Sequence, residues 1–181
     1  MDETVDETLR EVFVSSERLY EGKMVNLRRD IVLLPNGKQA TREIVEHPGA
    51  VAVVPVLPDG SILMVCQFRH PVGLVLREIP AGKLSPGEDP DECARRELEE
   101  ETGYRAGRLE RKASVFTGPG FTDEVIHIYI ADDLVKTKMN PDEDEFLAIE
   151  RWTPQQIRQM IREGHICDAK TISGMYLLQD Q

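Results

Sequence analysis

The segment from Gly82 to Tyr104 is rich in carboxylates, and their spacing decides what chemistry they could do. With about 100° between successive helical residues, Glu97, Glu100 and Glu101 fall together on a flank beside the apolar stripe. Like charges at these spacings repel by about a few tenths of a kcal/mol per pair, and a hard divalent cation placed among them removes that cost. The segment therefore favours a metal site, with a solvated acidic helix face as the alternative.

The residues around this cluster predict where its helix begins and ends. Asp89 is the predicted N-cap, Pro90 suits the first helical position, and Glu92 has the spacing of a capping box. Gly103 is the predicted stop. Glu92 and Glu99 point away from the cluster and are interpreted as surface residues.

The rest of the chain predicts the elements that must hold this helix. Three short polar strands are expected at residues 12–18, about 23–34 and about 39–46. The apolar runs "AVAVVPVL" and "SILMVCQF" are joined by "PDG", which predicts a hairpin. After the acidic helix, further strands are followed by two helices, begun by Thr153 and by the segment "DAKT". This order predicts an α/β (α+β) fold: an α/β/α sandwich with a mixed sheet, preceded by a small N-terminal antiparallel sheet over residues 1–47, with the main domain at 48–181.

Composition excludes several classes of protein. A net charge of −11 over 181 residues argues against nucleic acid as a partner. No apolar run is long enough for a membrane span, and the acidic N-terminus predicts no signal peptide. Three widely spaced cysteines fit neither a disulfide framework nor a zinc site, which favours a cytoplasmic location.

The acidic segment also resembles the signature of the Nudix hydrolases, G-x5-E-x7-R-E-U-x-E-E-x-G-U, where U is a bulky aliphatic residue. The matching positions are Gly82, Glu88, Arg96, Glu97, Leu98, Glu100, Glu101 and Gly103. Tyr104 departs from the pattern, which usually has an aliphatic residue there. The resemblance implies a loop–helix–loop that binds Mg²⁺, with Mn²⁺ as a substitute.

The resemblance also implies roles for individual residues. The residues at metal-binding positions are Glu97, Glu101, the assisting Glu100 and the backbone carbonyl of Ala81. Arg96 is implied to orient the carboxylates, with Glu88 as its partner. The implied reaction is attack of water on a phosphorus of a substituted nucleoside diphosphate, in which metal ions neutralise the diphosphate and activate the water.

Outside the signature, "FRHP", "EIPAGKL" and "GPGFTDE" resemble bacterial ADP-ribose pyrophosphatases, and Pro119 lies 16 residues beyond Gly103 as in those enzymes. This similarity implies a homodimer in which the N-terminal sheet is exchanged between subunits. The implied substrate-binding residues are Arg42, Glu43, Arg69, Glu78 and Pro119. For each charged residue among them, an ordinary surface ion pair is the alternative.

The general base in this group often comes from a loop after the signature. The acidic segment "NPDEDEFLAIERW" supplies Glu145 as first candidate and Glu143 as second, with a solvated acidic turn as the alternative. The expected activity is hydrolysis of ADP-ribose to AMP and ribose 5-phosphate. Other nucleoside diphosphate sugars or dinucleotides are alternative substrates. A non-catalytic nucleotide sensor and a structural acidic protein without a metal site are alternatives of a different class.

Overall fold

A computed structural model describes residues 7–141 and 145–178 of the chain, and these divide into two compact units. The first unit comprises the chain up to His47 together with Phe116–Glu124. The second comprises Pro48–Val115 and the chain from Val125 onward.

The first unit contains a three-stranded antiparallel sheet in the order β1-β2-β3. Its strands are β1 (Val12–Glu21), β2 (Asn26–Leu33) and β3 (Gln39–Glu46). The turn between β2 and β3 closes at Gly37, which has a φ of 81° and donates to the Leu34 carbonyl at 2.9 Å. The three predicted strands are present, with ends shifted by a few residues.

In the part of the chain that the structure describes, the second unit combines two sheets with three helices. Its strands are β4 (Ala50–Pro55), β5 (Ile62–Arg69), β6 (Leu74–Glu78), β7 (Ala81–Lys83), β8 (Tyr104–Phe116), β9 (Val125–Lys136) and β10 (Leu147–Trp152). Its helices are α1 (Pro90–Thr102), α2 (Pro154–Arg162) and α3 (Ala169–Leu177). The four-stranded sheet has the order β7-β4-β9-β8 and is mixed, because β4 runs parallel to β9 and antiparallel to β7. The other sheet has the order β10-β5-β6.

Strand β4 lies in the middle of the second unit and is buried over its whole length. Val51 and Val53 belong to the same apolar cluster as Leu98 of α1. The alternate residues of β4 belong to the other cluster, which includes Ile157 of α2 and Met175 of α3. Since side chains alternate across a strand, α1 covers one face of the sheet and the C-terminal helices cover the other. The predicted sandwich with a mixed sheet is thereby confirmed.

The predicted hairpin at "PDG" is correct only at its turn. Leu57 N–H donates to the Ser61 carbonyl at 2.8 Å, and Val56 pairs with Ile62. Beyond that pair, β4 and β5 enter different sheets. The reason is that both edges of β4 are already hydrogen bonded, one to β7 and the other to β9, so β5 pairs with β6 and β10 instead.

The helix ends follow the predicted cap residues, although the Asp89 side chain accepts from the Asp91 N–H instead of forming the predicted capping box with Glu92. Asp89 caps α1 through the Asp91 N–H at 2.8 Å, and Gly103 ends it in the left-handed conformation, with a φ of 69°. Thr153 and Gln156 form a capping box at the start of α2. Asp168 caps α3. None of the helices within residues 7–141 and 145–178 has the length and apolar character needed to cross a membrane.

Candidate active site

Helix α1 buries one of its three clustered carboxylates almost completely. Glu101 is only 3% exposed, whereas Glu97 and Glu100 are half-buried. The Glu101 Oε2 atom accepts a hydrogen bond of 3.0 Å from the Ala81 N–H in β7. The sequence placed the three residues together on a flank, but Glu101 lies deeper, because β7 passes beside the end of the helix and covers it.

Arg96 connects the other carboxylates of the signature. Its Nη1 donates to Glu97 Oε1 at 2.7 Å and to Glu100 Oε2 at 2.9 Å, and its Nε donates to Glu88 Oε1 at 2.9 Å. The pairing of Arg96 with Glu88 is thereby confirmed. The Arg96 guanidinium and the Ser85 N–H lower the pKa of Glu88 to about 2. The Arg96 guanidinium therefore offsets the repulsion among the carboxylates of Glu88, Glu97 and Glu100.

The two principal metal-ligand candidates, Glu97 and Glu101, both have a raised pKa. Burial raises the pKa of Glu97, and the charges of Glu100 and Glu145 raise it further against the effect of Arg96. Burial raises the pKa of Glu101 to about 8, and the charges of Glu97 and Glu145 add to that shift against the Ala81 N–H and Arg69. Each of these carboxylates therefore favours the addition of positive charge, which can come from a proton or from a cation.

The raised pKa of Glu101 predicts how the stability of metal-free protein depends on pH. A carboxyl with a folded pKa above its unfolded value stabilises the fold fully below about 4.5, and that contribution is lost as the pH rises through about 8. In the presence of a chelator, we expect the free energy of unfolding to fall as the pH rises across this window. The fall should be about 1.4 kcal/mol for each unit by which the folded pKa of Glu101 exceeds its unfolded pKa. Glu101→Gln should flatten the profile, as measured by denaturant titration between about pH 5 and 8.

Glu92→Gln, on the exposed side of the same helix, is the control and should retain the wild-type slope. The same slope in wild type and in Glu101→Gln would contradict the assignment of the shift to Glu101.

Gly82 in β7 provides the space that Glu97 occupies. A methyl group at this position would collide with the Glu97 carboxylate. The backbone of Gly82 pairs with Val51 of β4, so β7 cannot move away from Glu97 without losing this sheet pairing. The glycine of the signature is therefore required by close approach to a carboxylate.

This contact predicts the effect of Gly82→Ala. The added methyl group should displace the Glu97 carboxylate, which is the movable end of a side chain, and leave the fold intact. We expect Mn²⁺ affinity to fall by about tenfold to a hundredfold with a nearly unchanged melting temperature, as measured by calorimetric titration and thermal unfolding. Gly120→Ala is the control for a glycine whose added methyl group would meet no neighbour and whose φ is not positive. Wild-type Mn²⁺ affinity in Gly82→Ala would refute this role of Gly82.

Glu145 comes from the segment between β9 and β10. Its charge contributes to the raised pKa of both Glu97 and Glu101, so its carboxylate lies within electrostatic reach of both. The chain leading toward it is held to the end of α1, where the Asn140 N–H donates to the Glu100 carbonyl at 3.0 Å and the Thr137 N–H donates to the Gly103 carbonyl at 2.7 Å. Glu143, the second candidate base, lies outside the described residues.

These side chains fit a hard divalent cation by their chemistry. Carboxylate oxygens are the ligands such ions prefer, and the raised pKa values of Glu97 and Glu101 favour a nearby positive charge. Within residues 7–141 and 145–178, no three acidic, histidine or cysteine side chains already converge as a ready-made metal site. The Glu97 and Glu100 carboxylates are bonded to Arg96, and Glu101 is bonded to Ala81. Binding of a cation would require the contacts of Arg96 to rearrange.

Arg69 and Glu78, two predicted substrate residues, form a bidentate ion pair. Arg69 Nε and Nη2 donate to the two Glu78 oxygens, each at 2.8 Å. The charge of Glu101 contributes to the raised pKa of Arg69, which places the Arg69 guanidinium near the carboxylates of the signature. Lys170 is a second cation on Glu78, and sequence reasoning did not single it out, because 92 residues separate the two.

The other predicted substrate residues belong to the first unit. Arg42 and Glu43 are neighbours on β3 and therefore project from opposite faces of its sheet. Arg42 pairs with Glu11. Pro119 is exposed in a turn closed by hydrogen bonds of 3.0 Å from the Phe121 and Thr122 N–H groups to the Gly118 carbonyl.

The first unit also contains a cavity that the sequence did not indicate. Its volume is about 500 Å³, and its lining residues are Phe13, Ser16, Arg18, Arg28, Asp30 and Glu46. Arg28 pairs with both Asp30 and Glu46. Arg42 is the cross-strand neighbour of Asp30, so the cavity lies on the same sheet face as Arg42. It contains none of the signature residues, so it is a feature separate from the carboxylate cluster.

Comparisons with known proteins agree with this geometry. The family model described as NUDIX domain matches residues 46–173, and the model described as nucleoside diphosphate sugar hydrolase N-terminal domain matches residues 13–45. The chain is 44% identical to an ADP-ribose pyrophosphatase of Bacillus subtilis, over 95% of this chain and 94% of that protein. It is 46% identical to a methanol dehydrogenase activator of Bacillus methanolicus, over 93% of this chain and 92% of that protein.

A solved structure described as an ADP compounds hydrolase has the same fold, with a TM-score of 0.84 at 22% identity, over 94% of this chain and 93% of the other. The family model covers well over half of the chain, including the whole of the carboxylate helix and the strands that hold it. By its signature, its fold and these matches, the chain is a member of the Nudix family.

Proposed function

We propose that this protein hydrolyses the diphosphate of ADP-ribose to AMP and ribose 5-phosphate, with Mg²⁺ as cofactor and Mn²⁺ as a substitute. The observation that carries the proposal is the group of carboxylates at the end of α1, where Glu97 and Glu101 have raised pKa values and Glu145 contributes to both. The similarity to an ADP-ribose pyrophosphatase over nearly the whole chain supports the choice of substrate.

The residues that would hold the metal are Glu97 and Glu101, with the Ala81 carbonyl and Glu100 as further oxygen donors. When bound, a divalent ion neutralises charge on the diphosphate and makes water more acidic. Arg96 would orient the signature carboxylates from its ion pair with Glu88, while its contacts to Glu97 and Glu100 rearrange as the cation binds.

Glu145 would act as the general base. Its carboxylate takes a proton from the attacking water while the water oxygen forms a bond to one phosphorus. The bridging P–O bond then breaks, and the leaving phosphate retains the bridging oxygen. Arg69 would bind the diphosphate, because its guanidinium is fixed on Glu78 and lies near Glu101.

A product assay with several substrates tests this function. Wild-type protein with Mg²⁺ is incubated with ADP-ribose, other ADP-sugars, GDP-mannose, NADH and diadenosine polyphosphates, and the products are separated and identified. We expect ADP-ribose to have the highest kcat/KM. Running the reaction in ¹⁸O-labelled water shows which phosphorus is attacked, because only one product carries the label.

A different preferred nucleotide sugar would replace the substrate assignment and keep the hydrolase. Absence of turnover with every compound would favour a non-catalytic nucleotide-binding role.

We also propose a homodimer with an exchanged N-terminal sheet, composed of a β subdomain at residues 1–47 and a hydrolase domain at 48–181. All ten residues of β1 are exposed, including the large apolar side chains of Val12, Phe13 and Tyr20, and apolar surface on an edge strand is suited to a partner subunit. A monomer in sedimentation at micromolar concentration would contradict the dimer. A cytoplasmic location is consistent with three free cysteines.

A further inference from the structure

Glu78 is a deeply buried carboxylate that serves two cations at once. It is 1% exposed. Arg69 binds both of its oxygens, and Lys170 Nζ binds Oε2, the same atom that accepts from Arg69 Nη2. Burial on its own raises the pKa of Glu78, but Arg69 and Lys170 together lower it. Both cations therefore contact the same oxygen, so Glu78 connects Lys170 to Arg69.

The start of α3 fixes the position of Lys170. Its side chain is only 11% exposed, and Nζ also donates to Asp168 Oδ1 at 3.0 Å. The other oxygen of Asp168 caps the helix, accepting from the Thr171 N–H at 2.9 Å and from the Thr171 hydroxyl at 2.6 Å. The Ile79 N–H in turn donates to Thr171 Oγ1 at 2.9 Å. The start of α3 is thus hydrogen bonded to Ile79, the residue after Glu78, and the Lys170 ammonium is held in place.

This group is balanced in charge. Glu78 and Asp168 carry two negative charges, and Arg69 and Lys170 carry two positive ones. The charges of Glu101 and Asp168 both act on Arg69, so the group lies beside the acidic helix. Removal of Lys170 would leave a buried negative charge near a site that must accept an anionic diphosphate, and it would free the Glu78 carboxylate to turn.

We propose that Lys170 is a positioning residue for the bound diphosphate, which it serves by holding Glu78 so that the guanidinium of Arg69 keeps one orientation. Glu78 takes Nε and Nη2 of Arg69, which leaves Nη1 outside this ion pair and available to a phosphate oxygen. This inference rests on the proposed diphosphate hydrolysis, and it adds a residue from the C-terminal helix to the site.

Steady-state kinetics of Lys170→Met test the proposal. Methionine retains most of the side-chain volume and removes the charge. We expect KM for the nucleotide sugar to rise by about tenfold or more while kcat stays within about threefold, because ground-state and transition-state binding are weakened alike. Lys170→Arg should restore KM to within about threefold of wild type. Lys112→Met, which breaks an ion pair with Glu110 on β8, is the control and should match wild type.

A double-mutant cycle separates positioning from stability. In an Arg69→Ala background, Lys170→Met should change kcat/KM by less than about twofold, since its target is gone. Additive effects, or an unchanged KM with a lower melting temperature, would overturn the proposal. Should Lys170→Met not fold, Lys170→Gln is judged by the same criteria. Any nucleotide sugar that wild type hydrolyses serves for this comparison, so an error in the ADP-ribose assignment appears in the substrate assay alone.

Discussion

Glu101→Gln should lower kcat/KM by about 10³-fold or more, which corresponds to about 4 kcal/mol of transition-state stabilisation. Glu101 is the most deeply buried of the clustered carboxylates, and its pKa is raised to about 8, so a cation is the natural partner of its ionised form. Glutamine retains the shape and can still accept from the Ala81 N–H, but it lacks the charge. The measurements are steady-state kinetics with Mg²⁺ and calorimetric titration with Mn²⁺.

The fold of this variant should survive, because a neutral amide resembles the protonated acid that burial favours at this position. Melting temperature and circular dichroism check that expectation, and Glu92→Gln is the control for loss of one carboxylate from the same helix. Mn²⁺ affinity and turnover equal to wild type in Glu101→Gln would eliminate the metal site as assigned.

Glu145→Gln should lower kcat by about 10² to 10⁴-fold while KM and Mn²⁺ affinity change by no more than a fewfold. The reason is that a base accepts its proton in the transition state and adds little to the binding of substrate. The Asn140 N–H donates to the Glu100 carbonyl of α1, so the chain that leads toward Glu145 is held beside this helix. Single-turnover kinetics separate the chemical step from product release.

Glu143→Gln is the matched comparison, because it removes an acid from the same segment two residues earlier. We expect that variant to retain turnover within about threefold of wild type. The reverse result, a large loss in Glu143→Gln and a small one in Glu145→Gln, would move the base to Glu143. A parallel loss of Mn²⁺ affinity in Glu145→Gln would make Glu145 a metal ligand instead.

The sequence predicted the local features of this protein well because each depends on neighbouring residues. The caps of α1 at Asp89 and Gly103 follow from residue type at a helix end. The apolar, β-rich run of β4 predicted a strand, and the order of strands and helices along the chain predicted the layers. It did not predict that β4 and β5 would part after one pair, because that outcome depends on which strands occupy the edges of β4.

The candidate site shows the same difference between local features, which the sequence predicted, and tertiary contacts, which it did not. Arg96 and its carboxylates lie on one helix and the loop before it, so a spacing rule identified them. Lys170 meets Glu78 only because α3 begins beside β6, and a lysine in a C-terminal helix carries no sign of that contact. The burial of Glu101 beneath β7 was likewise invisible, since helical angles alone do not reveal which strand passes over a given face.

The bonds of Arg96 to Glu88, Glu97 and Glu100 have a consequence for the protein in the cell. The helix that would bind the cation is already neutralised in part by its own arginine, so we expect the chain to fold without an ion. Scarcity of the divalent ion would then silence the enzyme without exposing it to proteolysis. The pool of protein would persist, ready to regain activity as soon as the ion returned, with no new synthesis required.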